Sequence, residues 1–177
     1  MENSIDGDVP VNVRNSSVRM AETVDAYVHR HLVDPFALDK ARLYVLPIDI
    51  APVAFTSADE ECVTEADIHL VDEDVDPYRL LRRTRHHRSV GAACLVASGW
   101  CAPFTFDDEI RAMAPSDHPR RRRVRLCSAI SAAGIASVLR HEDEPESALV
   151  LENRGMGDLP DVLDAWWHST SSTRSAQ

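Results

Sequence analysis

Apolar residues at Met20, Ala21, Val24, Tyr27, Val28 and Leu32 recur at three- and four-residue intervals, the spacing of one helical face. The pattern predicts a helix over residues 16–33, capped by Asn15 or Ser16. Asp34-Pro35 stops it, because a residue before proline avoids helical backbone angles. The run 42–50 reads as a strand, and Pro47, lacking an N–H, places it at a sheet edge or a bulge. Ser57 to Glu60 has capping-box spacing, and 66–72 alternates Ile68 and Leu70 with polar neighbours like a short exposed strand. Asp76-Pro77 is an N-cap followed by proline at the first helical position, so a helix over 77–85 is expected with Leu80 and Leu81 inward.

Residues 89–98 are small and apolar on both alternating faces, which marks a central strand covered on both sides. A short helix is expected over 107–113. Residues 121–131 and 135–141 form a hairpin pattern around Ala132-Ala133-Gly134. Val124, Leu126 and Ile130 share one face of its first strand, and Arg123 and Arg125 share the other. Residues 141–147 read as a loop, and 148–152 as a further strand. A last helix follows Asp158, with Leu159, Val162, Leu163 and Trp166 inward. Adjacent helical residues cannot share a face, so Trp167 is expected to point to solvent or to a partner. The element order lacks regular β-α-β alternation. An α+β domain over 16–168 is therefore expected, with a mostly antiparallel sheet of about four to five strands packed by N- and C-terminal helices. A polar lead (1–15) and a polar tail (169–177) are expected to be disordered.

Composition adds limits. In 177 residues, 44% apolar content is enough for one core. No long apolar run suggests a membrane span, and the N-terminus lacks the basic and apolar regions of a secretion signal. Cys62, Cys94, Cys101 and Cys127 form no CxxC or CxxH pair. Free thiols in a reducing cytoplasm are expected, with no cofactor and no structural zinc. The net charge of −10 argues against nucleic acid as a partner. Eighteen of the nineteen basic residues are arginine, a bias that reports a GC-rich genome rather than choice of arginine at each site.

The charge is unevenly placed. Residues 59–76 hold nine carboxylates and no Lys or Arg, and Arg79, Arg82, Arg83, Arg85 and Arg88 follow at once. Such blocks pair within a fold or across an interface.

Candidate chemistry concentrates in Gly99–Arg125, which leaves the central strand and carries four consecutive arginines. Arg121, Arg123 and Arg125 can share one strand face and hold an anionic ligand, with Trp100, Asp117 and His118 beside them. The competing expectation pairs those arginines with the acidic 59–76 segment. His118 with Asp107, Asp108, Glu109 and Asp117 supplies hard metal donors at no known spacing, and His29 and His31 face different ways on a helix. Cys101 is a nucleophile only if a histidine reaches it. Ser116 to Pro119 also has the make-up of a plain turn. No HExxH, GxSxG, SxxK, GxGxxG or P-loop pattern names a reaction.

Gly99-Trp100 followed by Pro103, the run Ser116–Leu126 and the run Ala136–Glu144 together resemble a pattern in actinobacterial proteins without an assigned activity. The resemblance implies no site residues. The leading expectation is a non-catalytic protein-interaction or regulatory domain, a homodimer or bound to a protein partner, with Trp167 at the interface. The alternatives are a small-molecule protein or enzyme with its site in 99–125, and a nucleic-acid-associated factor.

Overall fold

The computed structural model describes residues 14–48, 54–55, 64–103, 106–153 and 157–169. The chain begins with β1 (Arg14–Asn15) and α1 (Ser16–His31), then β2 (Ala41–Pro47), β3 (Ala54–Phe55), one 3-10 turn (Glu65–Asp67) and β4 (His69–Asp74). It continues with α2 (Pro77–Arg83), β5 (Val90–Cys101), α3 (Asp108–Arg111), β6 (Arg122–Ser131), β7 (Gly134–His141), β8 (Glu144–Glu152) and α4 (Leu159–His168). Six strands form one antiparallel sheet in the order β4-β2-β5-β6-β7-β8, and β1 pairs with β3 in a separate ladder. The α+β class and the antiparallel sheet match the sequence reading, and the sheet is larger than the four to five strands expected.

Alternation along the strands divides the core into two layers. On one face Ala92, Cys94 and Val96 of β5 meet Met20, Val24 and Val28 of α1, along the apolar stripe the sequence displays. On the other, Ala93, Leu95 and Ile130 meet Leu80 and Leu81 of α2 and Leu163 and Trp166 of α4. β5 is buried from Gly91 to Val96, which explains its unbroken apolar run. Asp76 caps α2 by accepting from the Tyr78 N–H at 2.9 Å. Ser16 donates to Ser131 Oγ at 2.6 Å, tying the start of α1 to the end of β6.

Several boundaries differ from the expectation. For β2 the second of the two places expected for Pro47 holds: the strand lies between β4 and β5, and the pairing slips at Leu46/Pro47, where the missing N–H is accommodated. Residues 141–147 are not a loop, because the β7–β8 turn needs only Glu142 and Asp143. α1 ends at His31, before Asp34 turns the chain by accepting from the Phe36 and Ala37 N–H groups. The capping box at Ser57–Glu60, Cys62, the lead up to residue 13 and the tail beyond Ser169 lie outside the described residues. Among the described residues no helix is long and apolar enough to cross a membrane.

Candidate functional site

β5 and β6 carry the segment expected to hold a site, and pairing of Gly99 with Val124 and Trp100 with Arg123 sorts its side chains onto two faces. Arg121, Arg123, Arg125 and Trp100 lie on the α1 side. Gly99, Cys101 and Val124 lie on the α4 side. One expected site is therefore two separate places.

On the α1 side, Arg125 is fully buried. Its Nη2 donates to Asp25 Oδ1 at 2.5 Å, and its ring-stacked guanidinium lies 5.2 Å from the Phe36 centroid. Arg140 Nη2 donates to Asp25 Oδ2 at 2.6 Å. Asp25, itself 2% exposed, thus bridges two cations from the middle of α1. Arg123 donates to the Phe36 carbonyl at 3.0 Å. Its guanidinium and that of Arg121 lie 5.3 and 5.0 Å from the Trp100 ring centroid. Arg122 faces the other way and holds Asp143 and Glu144 at 2.6 and 2.9 Å. Among the described residues, the expected pairing of this arginine run with the acidic 59–76 segment does not form at Asp72, Glu73 or Asp74. Nearer cations take the described carboxylates: Arg83 holds Asp72, Arg79 and Arg83 hold Asp74, and Lys40 and Arg42 hold Glu73. The Arg79 guanidinium, helped by the Asp76 N–H, pulls the Asp74 carboxyl down to about 2.

His118 is 3% exposed and does not join the arginines. Its Nδ1 accepts the Arg120 N–H at 3.0 Å and Asp117 donates its N–H to Ala114 O at 2.9 Å, so Ser116–Pro119 is a hydrogen-bonded turn. Asp117 is exposed. Among the described residues no three of His, Cys, Asp and Glu converge as a metal site. Trp166 donates Nε1–H to Thr84 O at 2.7 Å, and half-buried Trp167 rests on His86 with ring centroids 4.2 Å apart.

On the α4 side, a cavity of about 370 Å³ opens past the ends of α2 and α4. Ala97, Gly99, Val124, Leu126 and Leu139 make its apolar floor, and Tyr78 and Asp158 stand on its rim. Cys101 is on the rim as well, its Sγ 3.8 Å from His141 Nδ1. Burial pushes the Cys101 thiol up, and the Arg122 guanidinium opposes that shift. Sequence reasoning named Cys101 and required a histidine but did not find one. His141 stands where the expected 135–141 strand meets the expected 141–147 loop, and it reaches Cys101 from β7, two strands away.

A second opening, a groove of about 550 Å³, runs between α1 and the outer strands, with Glu22, Arg30, Glu65 and Arg140 beside Ala148 and Val150 of β8. The strand expected over 148–152 is β8, which begins four residues earlier, at Glu144, in the stretch read as loop. No residue of it is buried, whereas Ala136–Leu139 of β7 all are. α1 and α4 pack on β6 and β7, and α1 only touches β8. Leu149 is 51% exposed and Val150 36%.

No protein-family model, curated protein or solved structure matches the chain.

Proposed function

We propose that this chain is a protein-interaction domain that takes an extended segment of a different protein as an added strand along β8. The observation that carries the reading is the open edge: nine residues of strand, none of them buried, with β7 on one side and, among the described residues, no strand on the other. Alternate N–H and C=O groups of an edge strand point outward and template a further strand. The exposed Leu149 and Val150 supply apolar contact, and the groove beside Ala148 and Val150 receives side chains from the α1 side of an incoming strand.

Charge selects the occupant. Glu144, Glu146 and Glu152 flank the apolar Ala148–Leu151 stretch, and no ion pair reaches Glu146 or Glu152 among the described residues. Antiparallel self-pairing about a two-fold axis must set a residue against its own copy to keep faces matched. Centred on Ala148 it brings Glu144 against Glu152, and centred on Leu149 it brings Glu146 against Glu152. Like charges directly opposite destabilise a pair. A partner segment with Lys or Arg flanking apolar positions meets the same edge with complementary charge, which favours it over a second copy of this chain.

The test uses the whole chain and two synthetic peptides of alternating valine and threonine, one ending in lysines and one in glutamates. Fluorescence anisotropy is expected to show binding of the lysine-ended peptide alone, weakening with salt. The Glu146→Lys/Glu152→Lys variant, altered at two exposed positions, is expected to reverse the preference. Indifference to peptide charge overturns the proposal, as does a dimer in light scattering that Leu149→Arg dissociates.

A further inference from the structure

The cavity on the α4 side plays no part in strand addition at β8 and carries a separate inference. Its room is built in by Gly99: a Cβ placed there meets nothing within 4 Å, so the strand omits a side chain where the cavity lies. Its reactive edge is also a product of strand register. Cys101 of β5 pairs with Arg122 of β6, and His141 of β7 pairs with Val124, so thiol and imidazole reach toward each other across β6 on one face. The sulfur is partly exposed, whereas Cys94 and Cys127 are fully buried. A soft nucleophile, a base and an apolar recess thus occupy one spot.

We propose that this cavity binds a small, largely apolar α,β-unsaturated carbonyl compound and that Cys101 captures it covalently with His141 as base. The recess holds the hydrocarbon part against Ala97, Gly99 and Val124, which sets the alkene beside Sγ. Burial keeps the Cys101 thiol protonated, so attack needs a base at that moment, and the imidazole 3.8 Å away supplies it. His141 Nδ1 takes the thiol proton as Sγ forms a bond to the β-carbon. The π pair of the alkene moves toward the carbonyl to give an enolate, and the imidazolium then returns the proton to the α-carbon. One S–H and one C=C π bond are lost and one C–S and one C–H bond are gained, with no external oxidant, reductant or leaving group.

The experiment uses the full chain carrying Cys62→Ser, which removes the cysteine outside the described residues, with benzylideneacetone as probe and mass spectrometry as readout. A single adduct on Cys101 is expected. Iodoacetamide, which needs no recess, is the control reagent. Gly99→Val, whose Cβ has open space, is expected to slow the enone at least about tenfold and to leave iodoacetamide alkylation of Cys101 nearly unchanged. His141→Ala is expected to slow the enone about tenfold or more. Without any further substitution, the saturated analogue benzylacetone is expected to protect Cys101 from iodoacetamide and to form no adduct. The proposal is overturned if the enone adds to Cys101 no faster than to free cysteine, if Gly99→Val slows both reagents alike, or if benzylacetone gives no protection.

Discussion

Removing the Asp25 charge would leave two guanidiniums facing a neutral group, one of them with no route to solvent. Arg125 is fully buried and Arg140 keeps 14% of its side chain exposed. Breaking a buried pair costs more than the pair contributes, because the remaining charge is stranded. Asp25→Asn preserves shape and is expected to lower stability by about 3–5 kcal/mol in urea unfolding. Asp25→Leu with Arg125→Met replaces the buried charges by apolar groups and leaves Arg140 its outlet, so this double variant is expected to be more stable than Asp25→Asn. The sequence shows half of this arrangement. Strand alternation correctly places Arg121, Arg123 and Arg125 on one face, but it cannot show that α1 covers the face as far as Arg125. Nor can it show that the counter-ion is a helical aspartate 100 residues earlier. Local spacing carries no information about such a partner. The same gap hid His141 from Cys101, 40 residues apart.

At the scale of elements, the β6–β7 hairpin is both the clearest signal in the sequence and a point of conformational constraint. Ser131 pairs directly with Gly134, leaving Ala132 and Ala133 to turn the chain, and Gly134 sits at φ 110°. Only glycine adopts that angle without strain. Gly134→Ala is expected to cost more than about 1 kcal/mol, read as a lower urea midpoint with an unchanged slope. The added Cβ meets only Asn153 Oδ1, at 3.7 Å, so the cost is one of backbone angle and not of crowding. Elements buried on one face or two, α1, β5 and α4, announced themselves by periodicity because burial imposes it. β8 did not. With neither face buried, Glu144–Ser147 needs no alternation and looks like loop, and its register against β7 slips between Glu144 and Ala148. Of the two places Pro47 points to, an edge or a bulge, the structure takes the second. A missing N–H signals an edge only if the sheet cannot absorb it, and here a slip in register does.

Across the whole molecule the sheet has two edges treated in opposite ways. β4 is clamped: Asp72, Glu73 and Asp74 are held by Arg83, by Lys40 and Arg42, and by Arg79. Among the described residues, the side-chain bonds to β8 lie at its start, where Arg122 holds Glu144 and Arg140 donates to the Pro145 carbonyl. Hydrogen exchange should therefore grade across the sheet, slowest in β5 and β6, which have strands on both sides and helices over them, and fastest in the outer amides of β8. Acid should separate the two edges further. The Asp74 carboxyl is drawn from 3.8 to about 2 by Arg79, so its ionised form is favoured by folding. Its stabilising contribution is complete above 3.8 and is lost as pH falls toward 2 and the proton binds. Exchange from β4 is expected to accelerate over that interval relative to β8, after correction for intrinsic rates, and Asp74→Asn should remove the extra acceleration. Equal acid response of the two edges would show that β4 is held by the ladder to β2 alone. A β8 protected as well as β4 at neutral pH would mean that the edge assigned to a partner is not open.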